Sequence, residues 1–281
     1  MQFSKWHGIG NDFIIVNGLQ ETAATIAKLQ QQAAFFCDRH LGIGADGLII
    51  VLPSEKADIR MKIINSDGSE AEMCGNGSRC FTRYVFENGL LLKRQMEIET
   101  LAGIIRTELV DGNDGNVIVR VDLGEPKLKR AQIPMQGDPN DTAVHVPIQI
   151  GEQTFYATAV STGVPHCVIF VEDLKGIDLG VLGPKVECHN LFPRKTNVEF
   201  VKVVGKNEAI MKVWERGAGI TMACGTGASA TLVAAALNGL TERRAVIHLD
   251  GGDLSIEWDQ NNRVILSGTA TQVFQGKCEI R

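Results

Sequence analysis

Met61-Lys62-Ile63-Ile64-Asn65, then Cys74-Gly75-Asn76-Gly77, then Asn88-Gly89-Leu90: this stretch occurs twice in the chain. The second copy reads Met211-Lys212-Val213, Cys224-Gly225-Thr226-Gly227 and Asn238-Gly239-Leu240, at a constant offset of 150 residues. The matched residues are few, but they fall at points that fix a backbone path. Each copy has an apolar strand, a Cys-Gly-x-Gly turn, a helix and an Asn-Gly stop suited to a helix C-terminus. Further out, Gly163-Val164-Pro165-His166 leads into Cys167-Val168-Ile169 much as Gly10-Asn11-Asp12 leads into Phe13-Ile14-Ile15. The duplication therefore extends beyond the cysteine segment.

The pattern around these anchors is rich in strands. Residues 13–16, 48–52, 60–65, 96–99, 104–109 and 117–121 read as strands in the first half, with turns at 102–103 and 111–116. In the second half the strands are 144–150, 154–160, 167–171, 197–204, 209–214, 245–249, 254–258 and 264–266. Apolar residues at 26, 29, 33 and 36 have helical spacing, and helices follow both cysteine turns over 78–87 and 228–237. The second of these is apolar almost all round, which predicts a buried central helix. Residues 125–141 hold three prolines and many polar side chains and read as the linker. The expected domains are residues 1–124 and 125–269, with the strand beginning at Ala270 (residues 270–281) crossing back to the first. Gly42-Ile43-Gly44-Ala45-Asp46-Gly47 has the glycines of a dinucleotide loop but precedes a strand, so a phosphate there would meet no helix N-terminus.

The 281 residues are 44% hydrophobic and 22% charged, with a net charge of −5. Such a balance suits a globular protein and argues against a nucleic-acid or membrane-surface footprint. No apolar run approaches a membrane span, and the first residues have no apolar signal core, so a cytoplasmic location is expected. The seven cysteines are odd in number and form no Cys-x-x-Cys pair, so neither a disulfide framework nor a zinc ribbon is expected.

Cys74 and Cys224 stand out by context. A thiol at a helix N-terminus flanked by glycines is pushed toward thiolate, and the same N–H groups can hold a carboxylate. Two equivalent halves would set two thiols on opposite sides of one α-carbon, as a two-base racemase or epimerase requires. One thiolate would remove the α-proton while the other thiol protonates the opposite face. Nothing in the sequence asks for pyridoxal phosphate or a metal.

At these residues the chain closely resembles the diaminopimelate epimerase family. The matching motifs are Phe3-Ser4-Lys5-Trp6-His7-Gly8-Ile9-Gly10-Asn11-Asp12-Phe13, Asn65-Ser66-Asp67-Gly68-Ser69-Glu70, Cys74-Gly75-Asn76-Gly77-Ser78-Arg79-Cys80, Thr196-Asn197-Val198-Glu199-Phe200, Trp214-Glu215-Arg216-Gly217-Ala218-Gly219 and Ala223-Cys224-Gly225-Thr226-Gly227-Ala228. The resemblance implies an α+β fold of two pseudo-symmetric domains, each a mostly antiparallel sheet wrapped around a central helix, with the active site between them. It implies cofactor-independent interconversion of LL- and meso-diaminopimelate, a lysine and cell-wall precursor. The implied partner is a small-molecule amino acid, without nucleic acid or membrane, and a homodimer is left open. Carried over by position, Cys74 and Cys224 are the acid/base pair, and His166 and Glu215 tune the thiols. Gly75, Asn76, Gly225 and Thr226 hold the reacting carboxylate. Asn11, Asn65, Asn197, Glu215 and Arg216 bind the remaining substrate groups.

Two positions depart from the family pattern. Val164 replaces an asparagine of a Gly-Asn-Pro-His motif, and Gly47 stands where some members carry a substrate-contacting glutamine. Both leave room for a related amino acid as substrate. The alternatives are a same-fold racemase of another amino acid, such as histidine, and a thiol redox or amino-acid binding protein.

Overall fold

The computed structural model describes residues 1–112 and 115–280, and the chain divides into two compact units, 1–122 with 267–281 and 123–266. The first contains β1 (Gln2–Gly8), β2 (Asn11–Asn17), α1 (Ala23–Gln31), α2 (Ala33–Cys37), β3 (Gly47–Leu52), β4 (Ile59–Asn65), β5 (Glu70–Ala71), α3 (Gly75–Glu87), β6 (Gln95–Thr100), β7 (Gly103–Asp111) and β8 (Val117–Asp122). The second contains β9 (Val146–Ile150), β10 (Gln153–Ser161), β11 (Pro165–Phe170), α4 (Leu179–Glu187), β12 (Asn197–Gly205), β13 (Glu208–Glu215), β14 (Gly219–Ile220), α5 (Gly225–Leu237), β15 (Arg244–Leu249) and β16 (Gly252–Trp258). After β17 (Val264–Thr269), β18 (Thr271–Lys277) pairs antiparallel with β1. The fold is α+β, mostly sheet with few helices.

The two units repeat one topology. In the first, β1–β2 are antiparallel, β2–β3 parallel, β3–β4 antiparallel, β4–β6 parallel and β6–β7 antiparallel. In the second, β10–β11, β11–β12, β12–β13, β13–β15 and β15–β16 follow the same sequence of directions. The registers align as well. Phe13 pairs Gly47 where His166 pairs Asn197, so positions 13 and 166 are structurally equivalent.

Each central parallel pair reads as an apolar run because it is covered on both faces. Ile14, Leu48 and Ile50 pack with Leu29, Ala33 and Phe36 of α1 and α2, all fully buried. Burying one such side chain is worth about 1.5–3 kcal/mol. The opposite face holds Ile15 and Ile49, with Ile49 reaching Gly77 of α3. In the second unit Cys167, Ile169, Val198 and Phe200 share a core with Leu179 and Val186 of α4. Strand alternation therefore turns His166 and Glu199 to the other face. In α5 the buried hydroxyl of Ser229 bonds the carbonyl of Gly225, which satisfies it inside the helix.

Several elements differ from expectation. The strand β1 lies where the sequence pattern places no element. The helix expected over 26–36 is two helices meeting at Gln32, whose φ of −97° and ψ of 4° leave the helical region. This break lets Leu29, Ala33 and Phe36 bury together. The helix α4 was not foreseen, since Gly180, Gly183 and Pro184 all disfavour a helix. It starts at Asp178, whose carboxylate accepts Val181 N–H, and Gly183 lets Trp214 lie against it: a Cβ there would stand 2.6 Å from the indole. Residues 125–141 are not a free connector, since Ile133 and Met135 enter the core of the second unit. At the ends of α3 and α5 only the glycines take the left-handed conformation (Gly89 φ 65°, Gly239 φ 68°). Asn88 and Asn238 instead donate their side-chain amides to Tyr84 and Ala234 carbonyls. The turn expected at 111–116 includes residues 113 and 114, outside the described residues. No helix among the described residues is long and apolar enough to cross a membrane.

Candidate active site

Both cysteines are helix N-caps. Cys74 has extended backbone (φ −142°, ψ 118°), and its Sγ accepts the Gly77 N–H at 3.4 Å. Cys224 repeats this (φ −125°, ψ 105°), accepting the Gly227 N–H at 3.3 Å. The first turn of each helix, Gly75-Asn76 and Gly225-Thr226, presents N–H groups that have no acceptor within the helix and therefore favour an anion.

In the first unit side-chain amides meet the thiol. Cys74 Sγ donates to Asn11 Oδ1 at 3.6 Å, and Asn76 Nδ2 donates to the same oxygen at 3.2 Å. Asn11 is aimed by Asp46, which accepts its Nδ2 at 2.7 Å. Arg39 in turn ties Asp46 to Asp12, and Lys5 pairs Asp12 at 2.7 Å. Burial alone would raise the Asp12 carboxyl, but the hydrogen bonds from Arg39 and Lys5 outweigh it and hold it at about 2. Asn65 donates to Ser69 Oγ at 3.0 Å and faces Gly47 across the β3–β4 ladder. A Cβ at Gly47 would stand 3.0 Å from the Ile64 carbonyl oxygen, so that position is tightly closed by backbone.

Behind this turn lies Arg79, fully buried. Its Nε donates to Thr269 O and its Nη1 to Gly75 O, while Nη2 has no hydrogen-bond partner. Burial lowers its pKa, and the thiols of Cys80 and Cys74 oppose that fall. Burial pushes the Cys80 thiol up to about 12, so Cys80 stays protonated.

The second unit surrounds its thiol with acids. Glu215 accepts hydrogen bonds from Thr221 and Cys224, and Thr226 Oγ1 is 3.5 Å from Cys224 Sγ. His166 Nδ1 and Glu199 Oε1 are 2.6 Å apart with both side chains fully buried. Burial pushes Cys224 well above its ordinary value, and the charges of Glu215 and Glu199 push further. The opposing bonds from Thr226 and Gly227 are weaker. This reverses the expectation that the helix N-terminus would carry the thiol toward thiolate. Burial likewise raises the Glu215 carboxyl, offset in part by Thr221 and Cys224.

The other expected site residues fall nearby in the same unit. Asn197 bonds Pro165 O through Nδ2 at 3.0 Å and accepts the Arg216 N–H at 2.8 Å, so it ties β11 to the end of β13. The Arg216 guanidinium is exposed and spends Nη1 on Arg194 O. Val164 follows Gly163 and supplies no polar group. Sequence reasoning passed over Glu199, Thr221 and Arg79. The available signal for Glu199 was a lone acid in the apolar run Val198-Glu199-Phe200-Val201, two residues from Asn197 and so on its face of the strand.

Comparison with known proteins agrees with this architecture. Chains of 9–17% identity show the fold. The phenazine biosynthesis protein of the PhzF family from Bacillus anthracis superposes with a TM-score of 0.71 at 17% identity, covering 98% of each chain. A hydroxyproline epimerase from Agrobacterium vitis, crystallised with trans-4-hydroxy-L-proline, gives a TM-score of 0.68 at 15% identity over 98% of this chain and 90% of its own. Sequence likeness is far closer to diaminopimelate epimerases. That of Heliobacterium modesticaldum is 54% identical over 99% of both chains, and that of Desulfitobacterium hafniense 52% over 98% and 97%. The sequence profile of diaminopimelate epimerase matches residues 3–129 and 158–273. With two thirds of its length and more inside that profile, the chain belongs to the diaminopimelate epimerase family of isomerases.

Proposed function

We propose that this protein interconverts LL- and meso-2,6-diaminopimelate without a cofactor, using Cys74 and Cys224 as its two acid/base groups. The observation that carries the reading is the pair of helix-capping cysteines at equivalent positions of two repeated units. Of the seven cysteines, these two alone are helix N-caps among the described residues.

The chemistry follows from what surrounds each thiol. Loss of the α-proton places enolate charge on the adjacent carboxylate. First-turn N–H groups at Gly75-Asn76 or Gly225-Thr226 are suited to stabilise that charge as it develops. Cys224, raised by burial and by two carboxylates, rests as the thiol and is the proton donor of the first half-turnover. Cys74 is then the base, and the buried Arg79 cation interacts with it. His166 and Glu215 set the proton affinity of the second site. Glu215 also suits a substrate ammonium, and the planar Arg216 guanidinium suits the far carboxylate. Asn11, Asn65 and Asn197 complete the polar lining. Free thiols at Cys37, Cys80, Cys167, Cys188, Cys224 and Cys278 suit a reducing compartment, in keeping with a cytoplasmic enzyme whose product serves lysine and peptidoglycan synthesis.

The test is α-proton exchange in deuterated water, followed by NMR, with reductant and no added cofactor. LL-diaminopimelate should take up deuterium as the meso form grows, while L-histidine and L-lysine should not exchange. Exchange on histidine or lysine would move the substrate and make Val164 and Gly47 the positions to examine. No exchange on any of the three, with thiols shown to be free, would remove the epimerase reading in favour of binding or redox.

A further inference from the structure

The His166–Glu199 pair is buried where the fold does not require charge. Burying a carboxylate and an imidazole costs free energy that one hydrogen bond need not recover. The first unit contains the control. By strand register, Phe13 is the equivalent of His166, and by the 150-residue offset Ile49 is the equivalent of Glu199. Both members of the apolar pair lie against the third residue of α3: a Cβ on Gly77 would meet Ile49 Cδ1 at 3.3 Å and Phe13 Cζ at 3.4 Å. A Cβ on the matching Gly227 would meet Glu199 Oε1 at 2.7 Å and Cys224 Sγ at 3.2 Å. One backbone arrangement thus holds Phe and Ile beside one cysteine turn and His and Glu beside the other.

We propose that Glu199 is a positioning residue for epimerisation: by accepting from Nδ1 it fixes the ring and tautomer of His166, leaving Nε2 as the nitrogen that serves the Cys224–Glu215 site. This rests on the epimerase reading. The hydrogen bond made by one ring nitrogen decides the proton on the other. Here that bond is 2.6 Å long, and Nε2 has no protein partner. The carboxylate itself is confined between the ring and Gly227, whose N–H is bonded to Cys224 Sγ. The titratable groups around the pair are Glu215 from β13, Cys224 at the start of α5 and Cys167 on β11, which burial and then Glu199 hold well above its ordinary value as a thiol. Cys167 belongs to the core shared with α4 and takes no part.

The experiment compares wild type, Glu199→Gln, Glu199→Asp and the double variant His166→Phe/Glu199→Ile, which copies the first unit. Unfolding temperature, kcat and KM in both directions, the pH profile and ring 15N NMR of the histidines are read for each. Glu199→Gln should keep its unfolding temperature and KM while kcat falls roughly 10- to 100-fold, the scale of acid–base support. The limb of the pH profile that reports Cys224 should move down, because a negative charge facing the thiol is gone. Glu199→Asp should recover part of kcat. The double variant should fold and fail to turn over, and its 15N spectrum should lack the Nδ1 signal that Glu199→Gln displaces. Wild-type kcat and pH profile in Glu199→Gln would overturn the proposal. A double variant that does not fold would also overturn it, by showing that the pair is structural. Wild type inactive on diaminopimelate would sink the epimerase reading instead. The ring spectra need no turnover and would still decide whether Glu199 sets the His166 tautomer.

Discussion

The cysteine turns of the two units share a backbone and differ in almost every side chain that bears on the thiol. Both thiols cap 13-residue helices and accept the same N–H bond. Yet Phe13, Ile49 and Asn65 in one unit correspond to His166, Glu199 and Glu215 in the other, and the buried Arg79 corresponds to Ser229. Duplication supplied a symmetric frame, and substitution on that frame supplied opposite electrostatics. A two-base reaction needs this difference, because at rest one thiol must hold its proton while the other lacks it. Acids facing Cys224 favour the protonated form. The cation behind Cys74 has no carboxylate partner among the described residues, so the charge beside that thiol has the opposite sign.

The largest effect should come from removing either thiol. Cys74→Ala and Cys224→Ala should each lower epimerisation by at least about a thousandfold in both directions, since residues acting as a unit do not share the loss. The two losses should be equal when measured by the meso/LL interconversion rate, because both thiols act in every turnover. Turnover within tenfold of wild type in either would break the two-base comparison.

Next come the equivalent positions 65 and 215. Glu215→Gln removes a carboxyl bonded to Cys224 and Thr221, and kcat/KM should fall roughly 100-fold or more. Asn65→Ala removes a neutral side chain held by Ser69 and should raise KM with a smaller loss, about tenfold. Equal effects on kcat would mean that the acid at 215 is a substrate contact and not a modulator of the thiol.

The two glycines at the third helical position give a test through stability. Gly77→Ala meets the mobile end of Ile49 at 3.3 Å, and the helix propensity of alanine offsets the crowding, so stability should change by less than about 1 kcal/mol. Gly227→Ala meets Glu199 Oε1 at 2.7 Å, and that oxygen cannot move without giving up its bond to His166. A loss of about 1–3 kcal/mol is expected by chemical denaturation, together with a fall in kcat. Equal stability changes in the two variants would show that Glu199 is not confined as described.

Much of this was legible in the residues, for local reasons. The glycines after each cysteine mark helix starts, and apolar runs such as Leu48 to Val51 mark strands covered on both faces. Helix α4 was hidden because Gly183 and Pro184 signal a break, whereas the glycine serves the packing of Trp214, a contact made with a strand distant in sequence. The protonation of Cys224 was hidden for the same kind of reason. Its local signal, the helix N-terminus, points toward thiolate, but burial and two carboxylates brought in by β12 and β13 dominate. Long-range charge is set by which strands become neighbours, and periodicity does not carry that information.

The smallest expected effect separates the units by the sign of their response to acid. Asp12, beneath Asn11, has its folded value held at about 2, below the ordinary 3.8. A depressed carboxylate contributes stability that is present above the unfolded value and lost as pH falls through the folded one. The loss from Asp12 therefore runs from about pH 4 down to about 2. Glu215 is raised above its ordinary 4.5, so its contribution has the opposite sign: it is present below 4.5 and lost as pH rises through the folded value. Unfolding temperatures followed from pH 6 to about 2.5 should show Asp12→Asn losing less on acidification than wild type, and Glu215→Gln losing more. The Asp12 effect should be modest, because Arg39 is half-exposed and its pairing is screened by solvent and salt. Acid curves that shift in the same direction for both variants would mean that the carboxyl groups of the two units are held by the same physics, and the electrostatic contrast drawn between them would fail at its weakest point.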